Sequence, residues 1–292
     1  MRYFMSQALL CFLLSSQPLE AQYYYYNNKY YANAMVFEFG GTFGVMNSLT
    51  DLGGKKGQGK KFLRDLNWKN AKPSFGVYVL AMHQDKIGLR LEGTVGEVSA
   101  YDTILKSVRT TTGGRYERNL SFKSKISDFQ LALEIYPLLF FNYDDQDPPA
   151  FSPYAVIGAG YYSFDPKAKL NGLWYALQPL RTEGQGFREY PGRTPYKLSQ
   201  LNISAGAGVK YEINSLLNAR LELNHRILNT DYLDDVSTSY IDHHLFSTYL
   251  PVHLAGVAQQ LYNRKGELNP GDATRPGDQR GSAEHDDSFF TI

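Results

Sequence analysis

Residues 198–237 constrain the fold more than any other stretch of the chain. Leu201, Ile203, Ala205, Ala207, Val209 and Tyr211 occupy one side of a period-two pattern, and Gln200, Asn202, Ser204, Gly206, Gly208 and Lys210 occupy the other. After a short break the pattern resumes, with Ala219, Leu221, Leu223 and Ile227 against Arg220, Glu222, Asn224 and Arg226. Successive side chains of a strand point to opposite faces, so alternation of this length predicts two strands, each lying between very different neighbours. What remains is to decide which face meets which medium.

The same pattern recurs along the chain. It predicts strands at about 35–46 (Phe37, Phe39, Phe43 and Val45 against Glu38, Gly40, Thr42 and Gly44), 74–82, 87–98, 125–138 and 152–164. Residues 288–292 read as the beginning of one more. Long connections at about 47–72, 99–121, 165–196 and 231–287 alternate with short ones near 83–86, 142–149 and 212–217. Membrane barrels have this rhythm, with short turns at one rim and long loops at the other. The polar faces also carry charge at mid-strand, on Glu38, Arg90, Glu92, Glu134, Lys210, Arg220, Glu222 and Arg226. In a soluble, lipocalin-like barrel these residues would face water and the apolar side would fill the core. In a membrane barrel the sense inverts and the charges fill the lumen. With about eight strands a barrel is just wide enough for side chains to pack inside, and both signs of charge are available to pair there.

The fold expected is therefore all-β: an antiparallel, up-and-down transmembrane barrel of about eight strands with a side-chain-filled lumen. Seven full strands and a stub meet the even-strand rule only if the stub closes on the first strand. Because about 9–11 residues are needed to cross a bilayer, the final strand reads as truncated.

The N-terminus reads as an export signal over residues 1–21. Arg2 gives the positive start, 8–14 an apolar run too short to span a membrane, and Leu19-Glu20-Ala21 a small-residue cleavage site. Cys11 follows Leu10, which is not the small residue a lipidation site takes, and it is the only cysteine. The mature chain would thus have no thiol or disulfide chemistry. Residues 22–34 form a Tyr/Asn-rich leader whose rings suit a membrane interface, and 35–292 form the barrel. A net charge of +1, without a basic block, gives no reason to expect a nucleic-acid partner.

Motifs for chemistry are weak. Gly54–Lys60 resembles a phosphate-binding loop, but Lys61 stands where the magnesium-holding Ser or Thr belongs, so the segment reads as a flexible basic loop. Asp231, Asp234, Asp235, Asp242, His243 and His244 crowd together without an EF-hand spacing and read as a solvated loop at the barrel rim. His83, His225 and His285 have no spacing that argues for a catalytic triad. No catalytic residue, metal site or cofactor is expected.

Several segments together resemble the type IX secretion outer-membrane β-barrel family (PorG-like proteins). They are Thr230-Asp231-Tyr232-Leu233-Asp234-Asp235-Val236-Ser237 directly after a strand, and Asn171-Gly172-Leu173-Trp174-Tyr175-Ala176-Leu177-Gln178-Pro179-Leu180 followed by Thr182-Glu183-Gly184-Gln185-Gly186. Arg118-Asn119-Leu120-Ser121-Phe122, Ser152-Pro153-Tyr154 and Phe289-Phe290 also fit. Ala176 departs from the larger polar residue expected there, and the closing strand is short. The resemblance implies a non-enzymatic barrel that anchors or aligns a periplasmic ring, made of a lipoprotein and its partner, in the protein-export machinery of the outer membrane, some of which serves gliding motility. It singles out Trp174, Tyr175, Gln178, Glu183, Asp231, Tyr232, Asp234 and Asp235 as candidate partner or signature positions. The alternative is a stand-alone structural or adhesive barrel of OmpA type, binding a surface or ligand through its external loops.

Overall fold

In the computed structural model, residues 35–54, 67–140, 149–214, 216–271 and 273–292 are described. The signal peptide, the leader, most of the basic loop and most of the 142–149 turn lie outside them. Among the described residues nine strands form one antiparallel sheet: β1 (Met35–Leu49), β2 (Lys72–His83), β3 (Ile87–Tyr101), β4 (Ser121–Ile135), β5 (Phe151–Leu170), β6 (Leu173–Ala176), β7 (Ser199–Asn214), β8 (Leu217–Leu228) and β9 (Ser288–Thr291). Each of β1 to β5 pairs with the next, β5 then pairs with β7, β7 with β8, and β8 with β9. β9 also pairs with β1, through Met46–Thr291 and Leu49–Ser288, so the sheet closes as an eight-stranded up-and-down barrel. β6 is the extra strand, a hairpin return on the upper part of β5. Among the described residues, β9 covers only Asn224 to Ile227 of β8 and Met46 to Leu49 of β1.

The barrel is inside-out relative to a soluble one. Phe39 is 89% exposed, and Phe37, Phe43, Val77, Val79, Leu91, Phe129, Leu131, Ile157, Leu201, Ile203 and Leu221 are also exposed. Arg90, Glu92, Asp128, Glu134, Asn202, Asn224 and Arg226 are buried. Alternation sends every second residue outward, and here the outward set is the apolar one. Large inward side chains need room, and glycines on neighbouring strands supply it. A Cβ at Gly208 would lie 2.5 Å from the Tyr154 ring, and one at Gly40 2.6 Å from Tyr78.

The β2–β3 turn places Gln84 and Asp85 at φ 51° and 57°, the twist that suits a two-residue hairpin. Strand boundaries differ from the sequence expectation: β1 and β3 run three residues further, to Leu49 and Tyr101, and the larger shifts are in β4 and β5. β4 begins at Ser121 and stops at Ile135, because Pro137, which has no N–H to donate, opens a 3-10 turn at Pro137–Phe140. β5 continues six residues past 164, because the turn at Asn171 and Gly172 (φ 50° and 85°) folds β6 back on it. The connection expected at 165–196 is thus strand at its start. The other long connections also carry structure. The 3-10 helix Asp102–Thr111 and helix α1 (Arg115–Arg118) lie between β3 and β4. Helices α2 (Leu245–Tyr249), α3 (Val252–Leu261) and α4 (Lys265–Leu268) lie between β8 and β9. Among the described residues no helix is long and apolar enough to cross a membrane.

These connections pack together into a cap over one end of the barrel. Leu52, Leu120, Leu177, Leu180, Phe187, Leu233, Val236, Ile241, Phe246, Ala258 and Leu261 form its apolar core, continuous with Met46, Ile126, Tyr162 and Phe289 at the top of the strands.

Candidate functional site

Two buried polar networks stand out, one in the lumen and one in the cap. In the lumen, Arg90 on β3 forms a fork with Glu222 on β8 (2.7 and 2.9 Å) and also meets Glu134 at 2.9 Å and Glu92 at 3.1 Å. Arg220 bonds both oxygens of Glu134 at 3.0 Å and reaches Glu38 at 2.5 Å. Glu38 also holds Lys210, at 2.5 Å. Arg226, fully buried, lies 3.2 Å from Asp128 and 3.6 Å from Glu92, and donates to the Thr291 hydroxyl. Tyrosines complete the shell: Tyr136 donates to Glu134 (2.6 Å) and Tyr154 to Glu222 (2.8 Å).

All eight residues singled out for the lumen from sequence therefore lie in a continuous set of ion pairs that crosses between opposite walls. Asp128 belongs with them, and its place six residues before Glu134 in the same alternation marks it as inward. It also accepts from Gln130 (2.9 Å) and Asn202 (2.8 Å), and Ser204 donates to Gln130 at 3.1 Å. Strand parity alone brings these groups together, since each sits on an inward position of its strand.

The cap network is built differently. The Glu183 carboxylate, fully buried, accepts from the backbone N–H groups of Ser237 (3.0 Å) and Thr238 (2.9 Å), from the Thr238 hydroxyl (2.7 Å) and from Arg280 (2.8 Å). Arg280 also donates to the carbonyls of Asp235 (2.7 Å) and Tyr262 (3.0 Å). Asp235 takes the Thr182 hydroxyl at 2.5 Å and the Tyr196 hydroxyl at 2.7 Å, with its own backbone at φ 66°. Asp234 accepts from Leu52 N (3.0 Å) and Val236 N (2.9 Å), and Asp287 accepts from Leu233 N (2.9 Å). In the connection between β3 and β4, Asp102 binds Arg118 in a fork (2.8 and 2.9 Å), while Arg118 donates to the carbonyls of Asp51 and Arg280 at 2.6 Å each. All four long connections are thereby tied to one another.

Acidic groups outnumber cations locally. Burial, followed by the charge of Asp51, pushes Asp234 up to about 8. Burial raises Asp235 to about 6. Burial and neighbouring carboxylates also move Asp51, Asp231 and Asp287 upward. Burial therefore favours the protonated form of these carboxyls, most strongly at Asp231, Asp234 and Asp287.

The reading of 231–244 as a solvated rim loop is corrected for all but its end. Asp234 and Asp235 are buried and hydrogen-bonded, because the loop folds inward across the barrel mouth. Asp231 is half-buried, and so is Tyr232, which stacks on Tyr196 (5.0 Å between ring centres) with its hydroxyl 3.4 Å from Glu183. Gln178 donates to the Tyr196 carbonyl at 3.2 Å. Tyr175 packs against the cap core, whereas Trp174 is exposed beside Lys123. Only the end of the loop faces water, where His243 and His244 are exposed and Asp242 half-buried. There Asp242, His243 and His244 bring ligand atoms within 4.8 Å of one another, a grouping able to hold a metal ion. His225, which interrupts the apolar face of β8, stacks on Phe290 at 4.2 Å. The decisive cap cations left unequal signals: Arg118 falls in one of the resemblance segments, while Arg280, in a Gly- and Pro-rich stretch, gave none.

What the arrangement does chemically is bind the barrel walls through paired charge and fasten the loops through buried carboxylates. No protein-family model and no curated protein matched the chain.

Proposed function

We propose that the chain is an outer-membrane β-barrel and serves as a non-enzymatic component of a type IX protein secretion machinery, where it anchors or aligns a periplasmic ring formed by a lipoprotein and its partner. The membrane part of this reading is carried by one observation: the barrel turns its apolar side chains outward and its charges inward. The secretion part rests on the resemblance of the 171–186 and 230–237 segments. In this role the barrel is an anchor and not the conduit, since ion pairs cross its lumen.

Outer-membrane fractionation and pull-down of the tagged protein in gentle detergent test the two parts separately. Recovery in the outer membrane together with the ring lipoprotein is the expected result. Outer-membrane recovery without ring components favours the stand-alone adhesive barrel, and recovery in the soluble fraction ends the membrane reading. Leu91 adds a graded test. It lies outward between Val79 and Leu131 in the registers of β2–β3 and β3–β4. Leu91→Arg is expected to weaken folding into bilayers by about 2–4 kcal/mol, read from denaturant titrations in vesicles.

A further inference from the structure

The outward face of β4 and β5 changes character as it leaves the apolar belt. Above Phe129 and Tyr161 comes a row of serines, Ser127 opposite Ser163. The next row alternates in sign: Glu97 on β3, Lys125 on β4 and Asp165 on β5 lie opposite one another. One row further, Lys123 stands directly opposite Lys167, and Lys169 follows on β5, opposite Trp174 on β6. Like charges placed directly opposite on an antiparallel pair are destabilising.

Local contacts relieve only part of this. Lys167 pairs with Asp165 at 2.7 Å, both half-exposed. The Lys123 ammonium sits 3.9 Å from the centre of the Trp174 ring. Arg264 adds a further cation, donating to the Lys169 carbonyl at 3.3 Å, though Glu267 holds its guanidinium at 2.8 and 3.0 Å. The cations Lys123, Lys125, Lys167, Lys169 and Arg264 thus face the carboxylates Glu97, Asp165 and Glu267, leaving the patch net positive.

Its height matches its charge. The apolar row of β4 runs down to Ile135, and Lys125, ten residues above it, lies about 33 Å along the strand and about 25 Å higher once barrel tilt is allowed for, which is the height of the apolar band of such a barrel, while Lys123 and Lys167 stand about 5 Å above Lys125. Lysine stems lie back along an apolar surface while the ammonium stays wet, and tryptophan favours the same interfacial depth. The ammonium groups of Lys125, Lys123 and Lys167 therefore fall within the polar layer that adds about 5–8 Å to each side of the hydrocarbon, and Lys169 with Trp174 stands at its outer edge.

We propose that this outward face, formed by Lys123, Lys125, Lys167, Lys169 and Trp174, is a docking surface for the phosphate-bearing headgroup of an anionic lipid in the leaflet beside the loop cap. It rests on the reading of the chain as a membrane barrel. Phosphate oxygens supply the negative charge that the opposed lysines lack, and the acyl chains lie along the adjoining apolar face.

The test uses the full chain in nanodiscs of phosphatidylcholine with or without phosphatidylglycerol, and with lipid A as a second anionic probe. Lipid retained on release is measured by native mass spectrometry. Changing Lys123, Lys167 and Lys169 together to Gln is expected to lower anionic-lipid retention by about five-fold for each lysine removed, while Lys69→Gln leaves it unchanged. In a Trp68→Phe background, emission from Trp174 is expected to shift when phosphatidylglycerol is added, and to stay still in the triple variant. Retention by the triple variant equal to that of the unaltered protein overturns the proposal, as does equal displacement by inorganic phosphate, which marks a site for free anions. Insertion into pure phosphatidylcholine separates the two readings. Insertion without anionic preference removes the lipid site alone, whereas failure of the unaltered protein to insert removes both.

Discussion

The lumen and the cap are both buried and polar, yet they neutralise charge by opposite means. In the lumen, four glutamates and Asp128 meet three arginines and a lysine, and nearly every contact is side chain to side chain across strands. In the cap, backbone N–H groups donate to Glu183, Asp234 and Asp287, and burial pushes Asp234 and Asp287 toward the protonated form. The difference follows from the backbone available. Barrel strands spend their N–H groups on one another, so a lumenal carboxylate must find a cation or hydroxyl. Irregular loops have N–H groups to spare, and a carboxylate is the compact acceptor that gathers several of them. Paired charge thus braces walls of regular structure, while carboxylates organise the irregular part.

The largest effect that separates the two regions is expected at Arg226. Its removal as Arg226→Ala leaves Asp128 buried without its cation and Glu92 with Arg90 alone, at a cost of about 3–5 kcal/mol. The readout is the shift in heat-dependent gel mobility or denaturant midpoint of the whole barrel. If charge pairing is what matters, Arg226→Met with Asp128→Asn recovers much of the loss, because both ions go together. A double variant as unstable as the single one would show that shape, not charge, decides.

Glu183→Ala comes next. It strips Arg280 and two backbone N–H groups of their acceptor, an expected local loss of about 3 kcal/mol. Because these bonds join loops and not walls, limited proteolysis of the cap should accelerate while the barrel keeps its mobility shift. Joint collapse of cap and barrel would erase the distinction drawn between them.

How far this was legible in the sequence divides along the same line. Strand parity and loop rhythm identified the barrel and placed Glu38, Arg90, Glu92, Glu134, Lys210, Arg220, Glu222 and Arg226 on the inward face, because a period of two carries sidedness with it. Residues 165–170 were missed as strand, since Asp165, Pro166 and three lysines or alanines mask the pattern that β6 completes. The cap was hardly legible at all. Asp234 and Asp235 look solvated by composition, and only the folding of 229–287 over the mouth, which no local period encodes, buries them. Arg280 and Glu183 meet across 97 positions of sequence.

The pH response sharpens the contrast further. Carboxyls raised in the folded cap hold protons that the unfolded chain, titrating near 4, has already lost. The stability they contribute is therefore full below about pH 4 and falls as pH rises through the folded values, about 6 for Asp235 and about 8 for Asp234. Hydrogen exchange at Leu52 N and Val236 N, which donate to Asp234, should accelerate between pH 4 and pH 8 beyond the intrinsic chemical rate. Asp234→Asn, which keeps an acceptor oxygen and cannot ionise, should flatten that rise. An unchanged slope in the variant would remove Asp234 from the account.

The smallest effect separates two tyrosines that stack on each other at the entrance to this network. Tyr196 donates to Asp235 at 2.7 Å, whereas Tyr232 reaches Glu183 only at 3.4 Å, where a hydrogen bond contributes little. Tyr196→Phe leaves Asp235 one donor short in a fully buried position and should cost about 1–2 kcal/mol of cap stability. Tyr232→Phe keeps the ring contact and loses only the long bond, so its cost should stay below about 0.5 kcal/mol. Glu183 already has four donors and Asp235 far fewer, so the ranking follows from how completely each carboxylate is otherwise satisfied. Equal losses in native-state exchange would mean that the aromatic stack, and not the carboxylates beneath it, holds the cap closed.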